Sequence, residues 1–80
     1  MNNHVELRVK EMMGALFNMS SADIGPGTSV DNVESWDSLN HMKLVMALEE
    51  AYAVEFTELE VTELLSLELV MLTLLSKGVS

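Results

Sequence analysis

Apolar residues recur every three or four positions in two stretches of the chain, as expected of amphipathic α-helices. These stretches predict a first helix over residues 3–17 and a second from residue 38 to 52 or 53, and a largely apolar stretch between capping residues predicts a last helix over residues 67–76. In the first helix, the residues predicted to face the core are Val5, Val9, Met12 and Leu16. Strand signals are weak throughout, so we predict an all-α protein.

Capping residues indicate a further short helix before the last one. Thr57 is followed three positions later by Glu60, which is the spacing of a capping box and predicts a helix over residues 58–64. Ser66 is placed to cap the last helix, and Gly78 is placed to end it. The prediction is therefore a four-helix bundle whose third helix is short.

A long loop is predicted between the first two helices. Residues 18–35 have no helical period and contain Gly-Pro-Gly at positions 25–27, with a short turn expected near residues 20–23. So long a loop in a small domain must be anchored, and the candidate anchors are Ile24, Val30 and Val33. The 80 residues suffice for one such domain with a single small core.

The chain is strongly acidic. Thirteen acidic residues face four basic ones, the formal net charge is −9, and the stretch from Glu49 to Glu68 holds seven acids and no base. Nucleic acid is a poor partner for such a surface, because phosphate contacts need clustered Lys and Arg. The acids favour partners with basic patches, or they serve solubility alone.

Other classes of site are disfavoured by composition. The absence of cysteine excludes thiolate metal sites, and His4 and His41 have no ligand-spaced partner, so no metal is expected. No apolar run is long enough to span a bilayer, and the N-terminus lacks a basic region followed by an apolar stretch. We therefore expect a cytoplasmic protein.

The second helix carries two apolar stripes. One is expected to face the core and consists of Leu44, Leu48, Ala51 and Tyr52, with Val45 at its edge. The other consists of Leu39, Met42 and Met46, and it is predicted to be exposed unless the helix is buried on both sides. Exposed methionine adapts its shape to a partner, so this stripe is predicted to be a binding face, with Lys43, Glu49 and Glu50 around it.

Ser38 stands at the predicted start of that helix, next to Trp36, which we expect to be exposed. Either Asp37 or Ser38 can cap the helix. Alternatively, the free amide groups and positive dipole end favour a phosphate, so Ser38 can carry a phosphodiester. The nearest base is His41, one turn along, and no Ser-His-Asp arrangement follows from these residues. We therefore expect a modified serine in a protein that is not an enzyme.

The segment 37–50, "DSLNHMKLVMALEE", resembles the attachment motif and second helix of the acyl carrier proteins. The first helix, the acidic loop, "VEF" and the short third helix follow in that family's order over nearly the whole chain. The resemblance implies a bundle of acyl-carrier type, with 4′-phosphopantetheine attached to Ser38 between Asp37 and Leu39. It implies transfer of the arm from coenzyme A by a phosphopantetheinyl transferase, and delivery of acyl groups for fatty acid, polyketide or other specialised lipid biosynthesis.

The resemblance also implies which residues of this chain contact partner enzymes, whose docking patches are basic. They are Trp36, Leu39, Met42, Lys43, Met46, Glu49 and Glu50, with Trp36 either an anchor beside the arm or a residue that packs the loop down. It further suggests apolar residues that could part to shelter an acyl chain, namely Leu44, Leu48, Val61, Leu64 and Leu69.

Four positions depart from the pattern of the common fatty-acid carriers. Those proteins have Gly-Ala before Asp-Ser-Leu and an acid directly after it, where this chain has Ser35, Trp36 and Asn40. Lys43 replaces a glutamate. Because these changes alter the charge offered to a partner, the hypothesis is a specialised stand-alone carrier with its own enzymes.

Two alternatives stay open. An acidic helical adaptor without a prosthetic group would explain the charge and the methionines, and an aminoacyl or peptidyl carrier would use the same serine. We expect a monomer. The last helix is apolar nearly all round, however, so some of Leu67, Leu72 and Leu74 are expected to be exposed, which leaves weak self-association or a further partner open.

Overall fold

The computed structural model describes residues 3–79 and contains four α-helices. They are α1 (Asn3–Phe17), α2 (Ser38–Tyr52), α3 (Glu58–Glu63) and α4 (Leu67–Ser76), with a 3₁₀ turn at Ser21–Asp23. Among the described residues the only β-type pairing is an isolated bridge between Ser29 and Ser66. The predicted all-α bundle, with its long first loop and short third helix, is confirmed.

Apolar side chains from all three long helices meet in one core. Its members from the helices are Val5, Val9, Met13, Phe17, Leu44, Val45, Leu48, Leu67, Val70, Met71 and Leu74. In α1 the buried face is centred on Met13 and Phe17, so the predicted Met12 and Leu16 are only half-buried at its edge. In α2 the prediction for Ala51 was wrong, because that residue is exposed.

The loop between α1 and α2 is fixed by apolar anchors and backbone hydrogen bonds. Ile24 and Val33 are buried and Val30 packs against the core, which confirms the three predicted anchors. The Val30 amide donates to the Leu65 carbonyl at 3.0 Å, and the Leu67 amide donates to the Thr28 carbonyl at 3.0 Å. The loop is thereby joined to the link between α3 and α4, which satisfies backbone groups that burial would otherwise leave unpaired.

Gly14 lies where α1 and the loop come into contact. A Cβ atom added to Gly14 would stand 2.6 Å from the Met19 carbonyl oxygen, and the Met19 amide donates to the Gly14 carbonyl at 2.9 Å. Helix propensity alone would make alanine about 1 kcal/mol better than glycine at this position. The contact reverses that preference, because the clashing atom belongs to the backbone.

We therefore expect Gly14→Ala to lower the free energy of unfolding by about 1–3 kcal/mol, the usual cost of overpacking. Urea denaturation followed by circular dichroism measures this. Ala15→Gly at the next, exposed position is the matched control, and propensity alone should cost it about 1 kcal/mol. A Gly14→Ala variant more stable than the parent would contradict the close contact.

The last helix exposes fewer of the predicted leucines than its composition suggested. Leu72 is exposed, as expected, but Leu67 and Leu74 are buried. Leu69 is 39% exposed, so its assignment to the acyl-sheltering core was wrong. Within residues 3–79 no helix has the length and apolar character needed to cross a membrane.

Candidate functional site

Ser38 is the first residue of α2, and its hydroxyl is not the helix cap. The cap is Asp37, whose Oδ1 accepts the Asn40 amide at 2.9 Å. Ser38 is exposed, and its side chain makes no hydrogen bond to any other residue of the described chain. The two possible caps are thus resolved: the carboxylate of Asp37 satisfies the helix end, and the serine Oγ is left free beside it.

A mainly apolar cavity of about 350 Å³ opens beside Ser38, between the start of α2 and α3. It is lined by Val30, Trp36, Asp37, Ser38, His41, Met42, Val61, Thr62 and Leu65. Sequence reasoning did not find the contribution of Val30, Thr62 and Leu65, because the loop and the α3–α4 link reach this place only through tertiary contacts. The serine therefore stands at the mouth of a cavity that can receive a slender, partly apolar group.

Trp36 is buried, so the prediction of an exposed tryptophan was wrong. The residue is 4% exposed, and its indole stacks on Phe17 with ring centroids 4.9 Å apart. Of the two roles considered for Trp36, the structure shows packing of the loop onto α1. An indole buried on this side is not available as an anchor for a partner protein.

His41 uses both of its ring nitrogens in hydrogen bonds. The Trp36 Nε1–H donates to His41 Nδ1 at 3.0 Å, and His41 Nε2 lies 2.7 Å from the Val61 carbonyl oxygen in α3. An indole N–H can only donate and a carbonyl can only accept, so this pair of bonds requires a neutral imidazole with its proton on Nε2. His41, the nearest base in the sequence, is therefore not free to activate Ser38.

Ser35 and Asn40 hold the loop to the helices through side-chain hydrogen bonds. The Ser35 Oγ–H donates to the Phe17 carbonyl at 2.8 Å, and the Asn40 side-chain amide donates to the Ser35 carbonyl at 2.8 Å. An aspartate at position 40 could not make this bond, because an ionised carboxylate only accepts. Ser35, Trp36 and Asn40 thus have structural roles in this part of the chain, whereas Lys43 makes no ion pair with the described residues.

Helix α3 is held mainly at its ends. The predicted capping box is present: Thr57 Oγ1 accepts the Glu60 amide at 3.1 Å, and Glu60 Oε1 accepts the Thr57 amide at 2.9 Å. Lys77 Nζ lies 2.8 Å from Glu60 Oε1, and this hydrogen bond, together with that from Thr57, lowers the pKa of the Glu60 carboxyl. None of the six residues of α3 is fully buried, but Val61 packs against the core, and Leu64, directly after the helix, is fully buried.

The outward stripe of α2 is exposed, as predicted. Leu39, Met42 and Met46 are 66%, 47% and 63% exposed, and Lys43 and Glu50 lie on the same side. Glu49 is half-buried, and its Oε2 accepts the Phe56 amide at 3.0 Å. In this structure Glu49 therefore stabilises the segment between α2 and α3 through a hydrogen bond to the Phe56 amide.

The described residues contain no group of His, Cys, Asp and Glu side chains placed to hold a metal ion. The chemistry of this face is thus that of a free hydroxyl, a helix N-terminus and an apolar cavity. No protein-family model matches the chain, and a search of curated proteins finds no match either.

Proposed function

We propose that this protein is an acyl carrier: it holds an acyl or related carboxylic acid group on a 4′-phosphopantetheine arm attached to Ser38 and presents it to partner enzymes. The observation that carries the proposal is the free, exposed Ser38 hydroxyl at the start of α2, beside a cavity of about 350 Å³. The arm's terminal thiol would supply the thioester chemistry, so the chain itself needs no acid, base or metal.

The residues around Ser38 fit the two ends of such an arm. The Ser38 and Leu39 amides lie in the first turn of α2 and have no partner among the described residues, so they favour a phosphate next to the serine. The apolar walls formed by Met42, Val61 and Leu65 suit the less polar part of the arm or its cargo. Asp37 keeps the helix end capped, which leaves the serine oxygen free for modification.

The exposed stripe of Leu39, Met42 and Met46 is the surface on which this proposal places partner enzymes. It begins directly after Ser38, so an enzyme docked there has the attachment point at the edge of the contact. Adaptable methionines suit the successive partners that a carrier must visit, and acids such as Glu50 would steer basic patches toward the helix. Tethering then gives the cargo a high effective concentration at each docked active site.

The test is the intact mass of the purified chain after incubation with coenzyme A and a phosphopantetheinyl transferase of broad carrier specificity. We expect the mass to rise by that of one phosphopantetheine group. If the folded chain stays unmodified with several such transferases, the proposal fails. In that case the second candidate, an acidic adaptor that binds partners without a prosthetic group, is favoured, because the exposed methionine stripe would still need a partner.

Lys43, the basic residue beside the exposed stripe of α2, should influence which enzymes the protein binds. Lys43 should repel the basic patch of an enzyme that normally meets a glutamate there, and one exposed pair contributes about 0.2–1 kcal/mol. We therefore expect Lys43→Glu to raise the kcat/KM of common fatty-acid enzymes for the carrier by roughly 1.4- to fivefold. Lys10→Glu on α1 is the control, because it changes the net charge equally but away from this face. Equal effects of the two variants would show that total charge, and not Lys43, is responsible.

A further inference from the structure

Phe17, Trp36, His41 and Val61 form a continuous chain of contacts from α1 to α3. The Phe17 ring stacks on Trp36, the Trp36 indole donates to His41 Nδ1, and His41 Nε2 bonds to the Val61 carbonyl. These residues come from α1, the long loop, α2 and α3 in turn. Three of the four, Trp36, His41 and Val61, also line the cavity beside Ser38.

We propose that His41 is a positioning residue that latches α3 against the start of α2 and thereby sets the width of this cavity. The latch is a property of the unmodified chain. Its importance for an arm on Ser38 rests on the proposed function. The bond from His41 to the Val61 carbonyl joins α2 directly to α3 at the cavity side, where none of the α3 residues is fully buried.

The latch works only with neutral imidazole. Protonation of His41 places a hydrogen on Nδ1, which then faces the Trp36 Nε1–H at a heavy-atom distance of 3.0 Å. Two donors cannot share that hydrogen bond, so the ring or the indole must move away. Moving the ring also strains the 2.7 Å bond to Val61, and α3 loses its tie to α2. Acidification should therefore open the cavity.

Few charged groups face the imidazole. From the start of α2, Asp37 is the one other ionisable residue among those lining the cavity, and its carboxylate is exposed and bonded to the Asn40 amide. From α3, the residues lining the cavity are Val61 and Thr62, which carry no charge, while Glu60 is turned to Thr57 and Lys77. On the side of α1 and the loop, the neighbouring side chains are the rings of Phe17 and Trp36, which carry no charge. A charge on His41 thus meets no buried counter-ion that could replace the lost bonds.

The first measurement is the tautomer of His41 in the unmodified chain, read from the ¹⁵N chemical shifts of its ring. At neutral pH we expect Nε2 to be protonated and Nδ1 to be unprotonated, with the Trp36 indole proton shifted by its hydrogen bond. A neutral ring protonated on Nδ1 would overturn the proposal, because it could not accept from Trp36.

The second measurement is amide hydrogen exchange in α3 at neutral pH and at mildly acidic pH, after correction for intrinsic exchange rates. We expect protection of the α3 amides to drop roughly two- to tenfold for each hydrogen bond lost. His41→Gln is the informative variant, since its side-chain amide offers one acceptor and one donor but does not titrate in this range. It should keep α3 protected at both pH values, whereas His41→Leu should lose protection at both.

His4→Gln controls for the titration of the other histidine, which lies on α1. It should leave the acid-induced loss of protection unchanged. If the α3 amides of His41→Gln lose as much protection on acidification as those of the parent chain, the latch is refuted. All these measurements use the chain without its arm. They therefore test the latch independently of whether Ser38 is modified.

Discussion

Ser38→Ala is expected to abolish modification completely while leaving the fold intact. The parent chain should gain the mass of one phosphopantetheine group, and the variant should gain none, because the oxygen that accepts the phosphate has been removed. The free energy of unfolding should change by less than about 0.5 kcal/mol, as is usual for exposed sites without a structural bond. This follows from the structure, in which Asp37 and not Ser38 caps α2. Intact mass and urea denaturation give the two readouts.

Ser66→Ala is the matched control, because Ser66 is a serine at a helix start that does cap. Its Oγ accepts the Leu69 amide at 3.1 Å. Removing a cap of this kind costs about 0.5–2 kcal/mol, yet the mass gain should be complete. Ser38→Ala should therefore lose the mass gain but keep its stability, whereas Ser66→Ala should keep the mass gain but lose stability. A Ser38→Ala chain that still gains the full mass would place the arm elsewhere and refute the assignment.

Leu48→Ala is expected to have the largest effect on stability. Leu48 is fully buried on the inner face of α2, where the packing of α1 against α2 supplies much of the core. Truncating a buried leucine to alanine costs about 2–5 kcal/mol, through lost transfer free energy and the cavity that remains. A domain of this size has only about 3–5 kcal/mol to lose, so the variant should be largely unfolded near physiological temperature. Thermal denaturation followed by circular dichroism measures this loss.

Leu59→Ala makes the same chemical change at a surface position. Leu59 lies in α3 and is 69% exposed, so we expect a change of no more than about 0.5 kcal/mol. Comparable losses in Leu48→Ala and Leu59→Ala would contradict the burial pattern of the two helices.

Local signals in the sequence predicted most of the secondary structure. Helix periodicity and capping residues act over three or four positions, so Thr57, Glu60 and Ser66 could be interpreted without knowledge of the fold. The exposed stripe of α2 was also predictable, since Leu39, Met42 and Met46 point away from the core face of their own helix. The C-terminal end of α2 carries no such signal, because Ala53 and not a glycine adopts the left-handed conformation there, with φ of 52°.

The candidate site was predictable only in part. The segment 37–50 indicated Ser38 as the residue of interest, and the structure leaves its hydroxyl exposed and free. The cavity beside it, the burial of Trp36 and the two bonds of His41 join residues that lie up to 35 positions apart, from Val30 of the loop to Leu65 of the link between α3 and α4. No local pattern specifies such pairs.

The sequence by itself determined the helices, the caps of α3 and α4, the acidic charge and the position of the serine, because each depends on residues close together along the chain. Only the tertiary structure decided that Asp37 caps α2, that Trp36 turns inward onto Phe17, and that Gly14 has no room for a methyl group. The physical reason is that burial and hydrogen-bond pairing depend on what another segment brings to the same place. A tryptophan or a glycine has no fixed role until that neighbour is known.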